Sequence, residues 1–235
     1  MTAQRIFLAG AAGVIGRRLT PLLRDAGHTV VGSTRSADKI DLLKSLGAEP
    51  VVVNVFDVAA LAKAVEAARP DVVIHQLTDL PKDLNPQEMP EGVIRNARMR
   101  DVGTRNLVAA ALIAGVKRLV AQSIAWVYAP GPEPHCESDP VDPTAHGVMS
   151  LESQVLQSPP LAGIVLRYGQ FYGPGTHNPD KPSGNAPVHV DAAAYAALLA
   201  VDRGKPGAYN IAQPNNYLTT AKAVTELGWS ADFRR

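Results

Sequence analysis

Three glycines near the N-terminus, in the segment GAAGVIG, restrict the fold of this 235-residue chain more than any other feature. They follow an apolar stretch at residues 6–9 and open an amphipathic stretch, so the pattern predicts a strand, a tight turn and a helix. Gly10 permits the turn, Gly13 leaves room for a diphosphate, and Gly16 allows close packing of helix and strand. The free amides and dipole of a helix N-terminus favour an anion. We therefore predict that this turn binds the diphosphate of a nicotinamide dinucleotide.

The remaining cofactor contacts are expected at the ends of the first strands. The second strand ends at Thr34 and Arg35, where an acidic residue would bind the ribose hydroxyls of NAD(H). A guanidinium suits a 2′-phosphate instead, so NADP(H) is the expected cofactor. The alternative is that Arg35 is a solvated surface residue, which leaves NAD(H) open. Asp57 offers an acceptor to the adenine amino group or an N-cap to the next helix, and both roles are compatible. The predicted cofactor-binding residues are Gly10, Ala12, Gly13, Val14, Ile15, Gly16, Thr34, Arg35, Asp57, Val58, Gln76, Leu77, Ser123 and Arg167.

Apolar and amphipathic stretches alternate along the chain, which predicts an α/β fold with a doubly wound parallel sheet covered on both faces. The predicted strands cover residues 6–9, 29–32, 51–55, 72–74, 118–122, 164–167 and 209–211. One predicted helix starts at residue 14, and another ends at residue 68. The other predicted helices cover residues 39–46, 92–115, 150–157 and 192–203. A chain of this length suits a single Rossmann domain over residues 1–235. The proline- and glycine-rich stretches 130–143 and 173–187 are expected to be surface loops, either substrate walls or simple connections.

The overall composition narrows the class of partner. The chain has 23 Lys and Arg against 22 Asp and Glu, a balance that favours a small-molecule substrate over nucleic acid or a membrane surface. Cys136 is the single cysteine, which excludes an internal disulfide and suits a reducing compartment. Since no signal-peptide pattern and no membrane-span-length apolar stretch occurs, we expect a cytoplasmic protein.

The glycine turn, together with HVDAAAYAALLA, RYGQFYGPG and LGW, resembles the extended and atypical short-chain dehydrogenase/reductases, the group of NAD(P)-dependent epimerases and dehydratases. The resemblance runs from Ile6 to about Trp229 and is weak between residues 174 and 187. It implies a parallel Rossmann sheet and a small C-terminal substrate region, to which we assign residues 173–190 and 212–235. It also implies a homodimer built from two long helices of each subunit, for which the stretches 92–115 and 150–157 are the candidates.

The same resemblance suggests roles for three polar residues. His189 and Asp191 match the HVD pattern, in which the aspartate caps the following helix and the pair supports the substrate loop. Arg167 resembles an arginine near the substrate or the nicotinamide, where a guanidinium suits an anionic group.

The proton-transferring pair of the resembled family is not found in this sequence. That chemistry uses a tyrosine and a lysine separated by three residues, because the ammonium lowers the pKa of the phenol. None of the six tyrosines has a lysine four positions later. Aligning Glu152 with the family's acidic residue on that helix places Thr144 and Val148 where the pair would stand.

The remaining candidate catalytic residues are Ser123, Tyr128 and Tyr172. The position of the family's catalytic serine is occupied by Ile124, and Ser123 lies one position before it. Ser123 either lines the pocket or forms hydrogen bonds with backbone groups. Tyr128 and Tyr172 lie in loops at strand ends. Each either donates a proton to the substrate or packs in the core or at the rim of the site. His75, at the end of the fourth strand, is either a titrating group or a packed structural histidine.

A polar loop contains a further group of titratable residues, but its spacing fits no compact zinc pattern, so no metal is predicted. The residues concerned are His135, Cys136, Glu137, Asp139, Asp142 and His146.

Three functions remain open from the sequence. The first is an NADP(H)-binding oxidoreductase or epimerase-like enzyme that acts on a small hydroxyl or carbonyl compound with a non-standard proton donor. The second is a catalytically inactive protein that senses the dinucleotide and signals to a partner. The third is a sugar-nucleotide epimerase or dehydratase, against which the missing tyrosine and lysine and the short segment 175–187 both argue.

Overall fold

The computed structural model describes residues 2–235, apart from the side chain of Lys82. The strands are β1 Arg5–Ala9, β2 Thr29–Thr34, β3 Glu49–Val52, β4 Val72–His75, β5 Arg118–Ile124, β6 Ala162–Tyr168, β7 Gln170–Tyr172, β8 Pro187–His189 and β9 Gly207–Ile211. The α-helices are α1 Val14–Asp25, α2 Ile40–Ser45, α3 Val58–Ala68, α4 Met89–Arg98, α5 Thr104–Ile113, α6 His146–Leu156 and α7 Val190–Leu199. Two 3₁₀ turns, Ala37–Lys39 and Lys82–Leu84, and two π turns, Met99–Gly103 and Ala223–Leu227, complete the secondary structure.

Seven strands form one parallel sheet in the order β3-β2-β1-β4-β5-β6-β9. Strand β1 shows why both faces must be covered, since its successive side chains point to opposite faces and all are apolar. Ile6 and Leu8 pack in one core with α1 and α7. Phe7 and Ala9 pack in a second core with α3 and α5. The predicted doubly wound Rossmann fold is confirmed.

The sheet order reverses between β1 and β4, which are neighbours although two strands and three helices separate them in sequence. Chains leaving these two strands turn to opposite faces of the sheet, which opens a crevice at their carboxyl ends. The candidate site is therefore expected at this point.

Several predicted boundaries need correction. The third strand ends at Val52, because residues 53–55 leave the sheet and line a cavity at its edge. The predicted helix 92–115 is interrupted by the π turn Met99–Gly103 between α4 and α5. Strands β7 and β8 form a small parallel pair at the two ends of the predicted loop 173–187. Neither strand was predicted from the sequence. Their three-residue lengths are too short to show a period.

Within the described part of the chain, none of the helices combines the length and the apolar character that crossing a lipid bilayer requires.

Candidate functional site

A cavity of about 170 Å³ lies at the carboxyl ends of β1, β2 and β4, at the reversal of the sheet order. Seven predicted cofactor residues line it: Gly10, Ala12, Gly13, Thr34, Arg35, Gln76 and Leu77. The other lining residues were not predicted from the sequence; they are Ala9, Ser33, Val53, Asn54, Val55, Leu61, Thr78 and Met99. Most of these are apolar or small and come from neighbouring strand ends, so only the sheet order could have identified them.

The glycine turn has the geometry that its sequence predicts. Gly10 has a φ of +89°, and a Cβ there would lie 2.6 Å from the carbonyl oxygen of Gln76. A Cβ on Gly16 would lie 2.4 Å from the carbonyl oxygen of Gly10. Gly13 is the N-cap of α1, and no acidic residue occurs in the described first turn of that helix. The first amides of α1 therefore lack a side-chain acceptor at the cap, which suits a bound diphosphate.

The other predicted residues of the turn and of the third strand end do not line the cavity. Val14 is exposed at the start of α1, whereas Ile15 is buried in the core. Asp57 accepts a hydrogen bond from the amide of Ala60 at 3.0 Å, so the helix-cap interpretation of this residue is confirmed. Val58 is an exposed residue beside that cap.

Arg35 lies at the rim of the cavity with 63% of its side chain exposed. Its Nη2 atom is 3.1 Å from Oδ1 of Asp79, which follows β4. This contact uses one nitrogen of the guanidinium and leaves most of the side chain exposed to a ligand.

A buried ion pair lies farther along the carboxyl edge of the sheet. Glu152 on α6 accepts hydrogen bonds from Nη2 of Arg167 at 2.6 Å and from Nε of Arg167 at 3.0 Å. The same carboxylate accepts from the Ser123 hydroxyl at 2.7 Å. Burial alone would lower the pKa of Arg167, but the hydrogen bonds and charge of Glu152 raise it overall. Arg167 therefore stays charged, and the bond to Glu152 fixes the proton of Ser123.

This arrangement corrects the predicted role of Arg167. Its guanidinium also donates to the Tyr128 hydroxyl at 3.0 Å and to the Glu137 carbonyl oxygen at 3.4 Å. A guanidinium already bound to Glu152 and Tyr128 has little capacity left for an external anion. Arg167 thus holds the site together instead of presenting a free charge to a ligand.

The two candidate tyrosines lie in different surroundings. Tyr128 donates its hydroxyl proton to Oδ1 of Asn210 at 2.6 Å and stacks on His135 with ring centroids 4.8 Å apart. Burial raises its pKa, although the nearby Arg167 opposes this effect. Tyr172 belongs to the small β7–β8 pair, where its hydroxyl accepts from Gln213 at 2.7 Å. Both phenols are thus held by structural contacts.

The positions aligned with the family's tyrosine and lysine have no equivalent chemistry in the structure. Thr144 is exposed before α6 and donates to the carboxylate of Asp142 at 2.7 Å. Val148 is buried in α6, one turn before Glu152.

His75 has the character of a packed structural histidine. Its Nδ1 accepts from the amide of Leu77 at 3.1 Å, so the proton lies on Nε2, which is 3.0 Å from the Thr104 hydroxyl. Burial lowers the pKa of His75 to about 4, and the nearby Arg100 contributes to the same shift. The imidazole is neutral at neutral pH and fully occupied.

The HVD segment also needs correction, because the histidine is the cap. Nδ1 of His189 accepts from the amide of Asp191 at 3.2 Å at the start of α7. Asp191 instead accepts from the amide of Arg235 at 3.1 Å and lies 3.6 Å from Arg18. The aspartate therefore joins α7 to the C-terminal segment and to α1.

The parallel sheet, with a glycine turn beside its reversal point, defines a dinucleotide-binding protein of the Rossmann class. The sequence model of the NAD dependent epimerase/dehydratase family matches residues 6–196. The chain belongs to this family, as its resemblance to the extended short-chain dehydrogenase/reductases predicted. The family and the relative described next indicate an NAD-dependent oxidoreductase or epimerase-like enzyme.

Among curated proteins, a "3-diazoavenalumate denitrifying reductase" of Streptomyces sp is 40% identical over 235 aligned residues, which cover 88% of this chain and 75% of the relative. Two solved structures share the fold. The Bordetella bronchiseptica enzyme WbmG, in complex with NAD and UDP, has a TM-score of 0.76 at 21% identity, covering 100% of this chain and 92% of that one. A UDP-glucose 4-epimerase of Thermotoga maritima with UDP-glucose has a TM-score of 0.78 at 19% identity, covering 97% and 94%.

Proposed function

We propose that this protein is an NADP(H)-dependent reductase that delivers hydride to a small electrophile whose reduction requires no proton from the protein. The observation that carries the proposal is the state of the hydroxyls at the carboxyl edge of β5. Ser123 directs its proton to Glu152 at 2.7 Å, and Tyr128 directs its proton to Asn210 at 2.6 Å. Neither group is arranged to protonate a substrate.

We further propose an aryl diazonium ion as the electrophile. When bound, reduced nicotinamide supplies the hydride. The aryl carbon gains the hydride, and the carbon–nitrogen bond breaks with its electron pair leaving on dinitrogen, so that charge balances without a proton. The name of the Streptomyces relative, a denitrifying reductase of a diazo compound, supports this choice.

Ser123 and Glu152 would have a positioning role in this reaction. Because the Ser123 proton is held by Glu152, only the lone pairs of the hydroxyl oxygen are available to a ligand. An acceptor of this kind suits an electron-poor group or the amide nitrogen of nicotinamide. The ion pair with Arg167, at 2.6 Å, in turn holds the Glu152 carboxylate in place.

The activity test supplies the purified protein with an arenediazonium salt and NADPH deuterated at the transferable position. We expect loss of reduced-nicotinamide absorbance, release of dinitrogen and one deuterium on the ring carbon that carried nitrogen. NADPH binding without turnover of diazonium ions, aldehydes or ketones would instead identify the dinucleotide sensor. Interconversion of UDP-glucose epimers in the presence of NAD would identify the sugar-nucleotide epimerase.

The proposed preference for NADP(H) depends on Arg35. Replacing Arg35 with Ser removes the guanidinium at the cavity rim, and we expect NADPH affinity to fall about tenfold or more, as for the loss of a charge-assisted hydrogen bond, with little change for NADH. The matched control is Arg24→Ser, which removes an exposed arginine paired with Asp25 at the far end of α1. Equal changes for both dinucleotides would contradict the preference.

We also propose that the chain is a single domain in which residues 173–190 and 212–235 cover the substrate. The hydrogen bond from the amide of Gln213 to the carbonyl oxygen of Pro187, at 2.7 Å, joins these two segments.

A further inference from the structure

Arg100 occupies the π turn between α4 and α5, and its side chain is half-buried. Such single π turns interrupt the regular helical hydrogen bonds and occur frequently at functional sites. The next residue fixes this turn against α6. Asp101 accepts from the Ser150 hydroxyl at 2.8 Å through its carboxylate and from the Gln154 amide at 3.2 Å through its carbonyl. The position of Arg100 is therefore set by two packed elements.

The neighbours of Arg100 place it between the cofactor cavity and the Glu152 network. Met99, immediately before it, lines the cavity. Thr104, one turn later, contacts His75 at the end of β4. Burial lowers the pKa of Arg100, while the charge of Glu152 on α6 opposes that shift. The charge of Arg100 also contributes to the lowered pKa of His75, so it acts on the end of β4 as well.

The charge of Arg100 has no partner among residues 2–235 as the structure describes them, since its guanidinium forms neither a hydrogen bond nor an ion pair there. Both oxygens of Glu152 already accept hydrogen bonds from Arg167, and one accepts from Ser123 as well. The carboxylate of Glu137 accepts a hydrogen bond from the amide of Asn210 at 2.8 Å. The carboxylate of Glu152 is therefore already occupied by Arg167 and Ser123 and forms no bond to Arg100.

A half-buried guanidinium without a partner has lost part of its hydration with no replacement. A planar oxyanion matches its five donors and compensates the charge. The diphosphate and the 2′-phosphate of the cofactor already have candidate partners in the α1 N-terminus and Arg35. The Arg100 guanidinium at the π turn therefore suits an anionic group of the substrate.

We propose that Arg100 binds a carboxylate group of the substrate beside Ser123. The inference deepens the proposed function and rests on it, because it narrows the small electrophile to an aromatic compound that carries a carboxylate.

The test measures binding and not turnover. The dissociation constants of cinnamate and of the neutral cinnamamide are measured by titration calorimetry on the full chain saturated with NADP⁺. We expect Arg100→Met to weaken cinnamate binding about tenfold or more, and cinnamamide binding less than about twofold, because only the carboxylate forms charge-assisted bonds. Arg100→Lys keeps the charge but not the planar fork, so we expect an intermediate loss for cinnamate.

The matched control is Arg95→Met, which removes an arginine of α4 that pairs with Glu91; it should leave both affinities unchanged. The affinity for NADP⁺ is measured on each variant. It shows whether the variant is correctly folded and whether Arg100 binds a phosphate of the cofactor instead of the substrate. A selective loss of NADP⁺ affinity in Arg100→Met would show that the guanidinium serves a cofactor phosphate and would overturn the inference. Equal affinities of the wild-type protein for cinnamate and cinnamamide would overturn it as well. If charge-dependent cinnamate binding holds while diazonium reduction fails, the anion site stands and only the proposed reaction is wrong.

Discussion

At the residue scale, the contact between Glu152 and Arg167 organises the candidate site. The family resemblance suggested Arg167 as a contact for an anionic group near the substrate or the nicotinamide. In the structure both members of the pair are at least nine-tenths buried, with side-chain exposures of 5% and 8%. A buried guanidinium requires a buried carboxylate, and that requirement directs Arg167 inward to Glu152.

The first prediction concerns this pair. Glu152→Gln leaves Arg167 buried and charged without a counterion, and we expect the free energy of unfolding to fall by about 3 to 5 kcal/mol in urea denaturation. The double variant Glu152→Leu with Arg167→Met removes both charges and should recover most of that loss. A cost below about 1 kcal/mol for Glu152→Gln would indicate that water screens the pair, as it does for surface ion pairs.

The second prediction concerns the acid stability of the fold through His75. Its pKa is about 4 in the folded state against an ordinary 6.5, so the neutral imidazole stabilises the fold above pH 6.5. That contribution is lost as the pH falls through 6.5 toward 4, by roughly 3 kcal/mol at pH 4.

Unfolding free energies of the wild-type protein and of His75→Gln, measured across this pH range, check that expectation. Burial also lowers the pKa values of His28 and His189, and both histidines remain in the variant, so the difference between the two proteins isolates His75. The wild-type protein should lose stability more steeply. Parallel curves would show that His75 does not have this role.

At the element scale, the unit formed by β1, the glycine turn and α1 requires glycine at a position that does not line the cavity. Gly16 is inside the helix, where its missing side chain allows α1 to approach the turn. A Cβ there would meet the Gly10 carbonyl oxygen at 2.4 Å, and this backbone atom cannot rotate away. The motif therefore requires Gly16 for close packing, whereas it requires Gly10 for the positive φ of the turn.

The third prediction follows from that distance. Gly16→Ala should displace the start of α1 from the turn, and we expect a destabilisation of about 1 to 3 kcal/mol, as for overpacked cores, together with a clear loss of NADPH affinity. Calorimetric titration and thermal unfolding measure the two effects. Gly131→Ala is the control, because the nearest atom to its Cβ, in His135, would be at an ordinary 3.5 Å. Equal behaviour of the two variants would contradict the packing argument.

At the scale of the whole molecule, an apolar face is exposed where α4 and α6 lie side by side. The contact is close, since a Cβ on Gly147 would be 3.3 Å from the Cα of Ala97. Near it, Val93 and Ile94 on α4 and Met149 on α6 are exposed, Ile94 to 72%. Exposed apolar side chains on adjacent helices favour association, and both helices overlap the stretches that the family resemblance proposed for a homodimer.

The fourth prediction tests that association. Ile94→Glu places a charge on this face, and we expect the mass measured by light scattering to shift from a dimer toward a monomer, because burying an unpaired carboxylate at an interface is costly. Val224→Glu is the control, since Val224 is also exposed, at 53%, but lies in the π turn Ala223–Leu227, outside the helices proposed for the homodimer. A monomeric wild-type protein, or equal shifts in both variants, would contradict the proposed interface.

The sequence by itself determined the strand, turn and helix at the N-terminus and the alternation that leads to a parallel sheet. These features depend on neighbouring residues, whose periodicity and glycine spacing act over a few positions. Seven of the predicted cofactor residues therefore line the cavity. The sequence did not predict the π turn, the three-residue strands β7 and β8, or the end of β3 at Val52. Such short features show no period.

Only the tertiary structure decided which polar groups are already occupied. Glu152 and Arg167 are fifteen positions apart, and Ser123 is twenty-nine positions from Glu152, yet the three form one buried network. The same fold leaves Arg100 charged, half-buried and without a partner in the described chain. Local patterns fix the elements, whereas the pairing of buried charges depends on which elements the sheet order brings together.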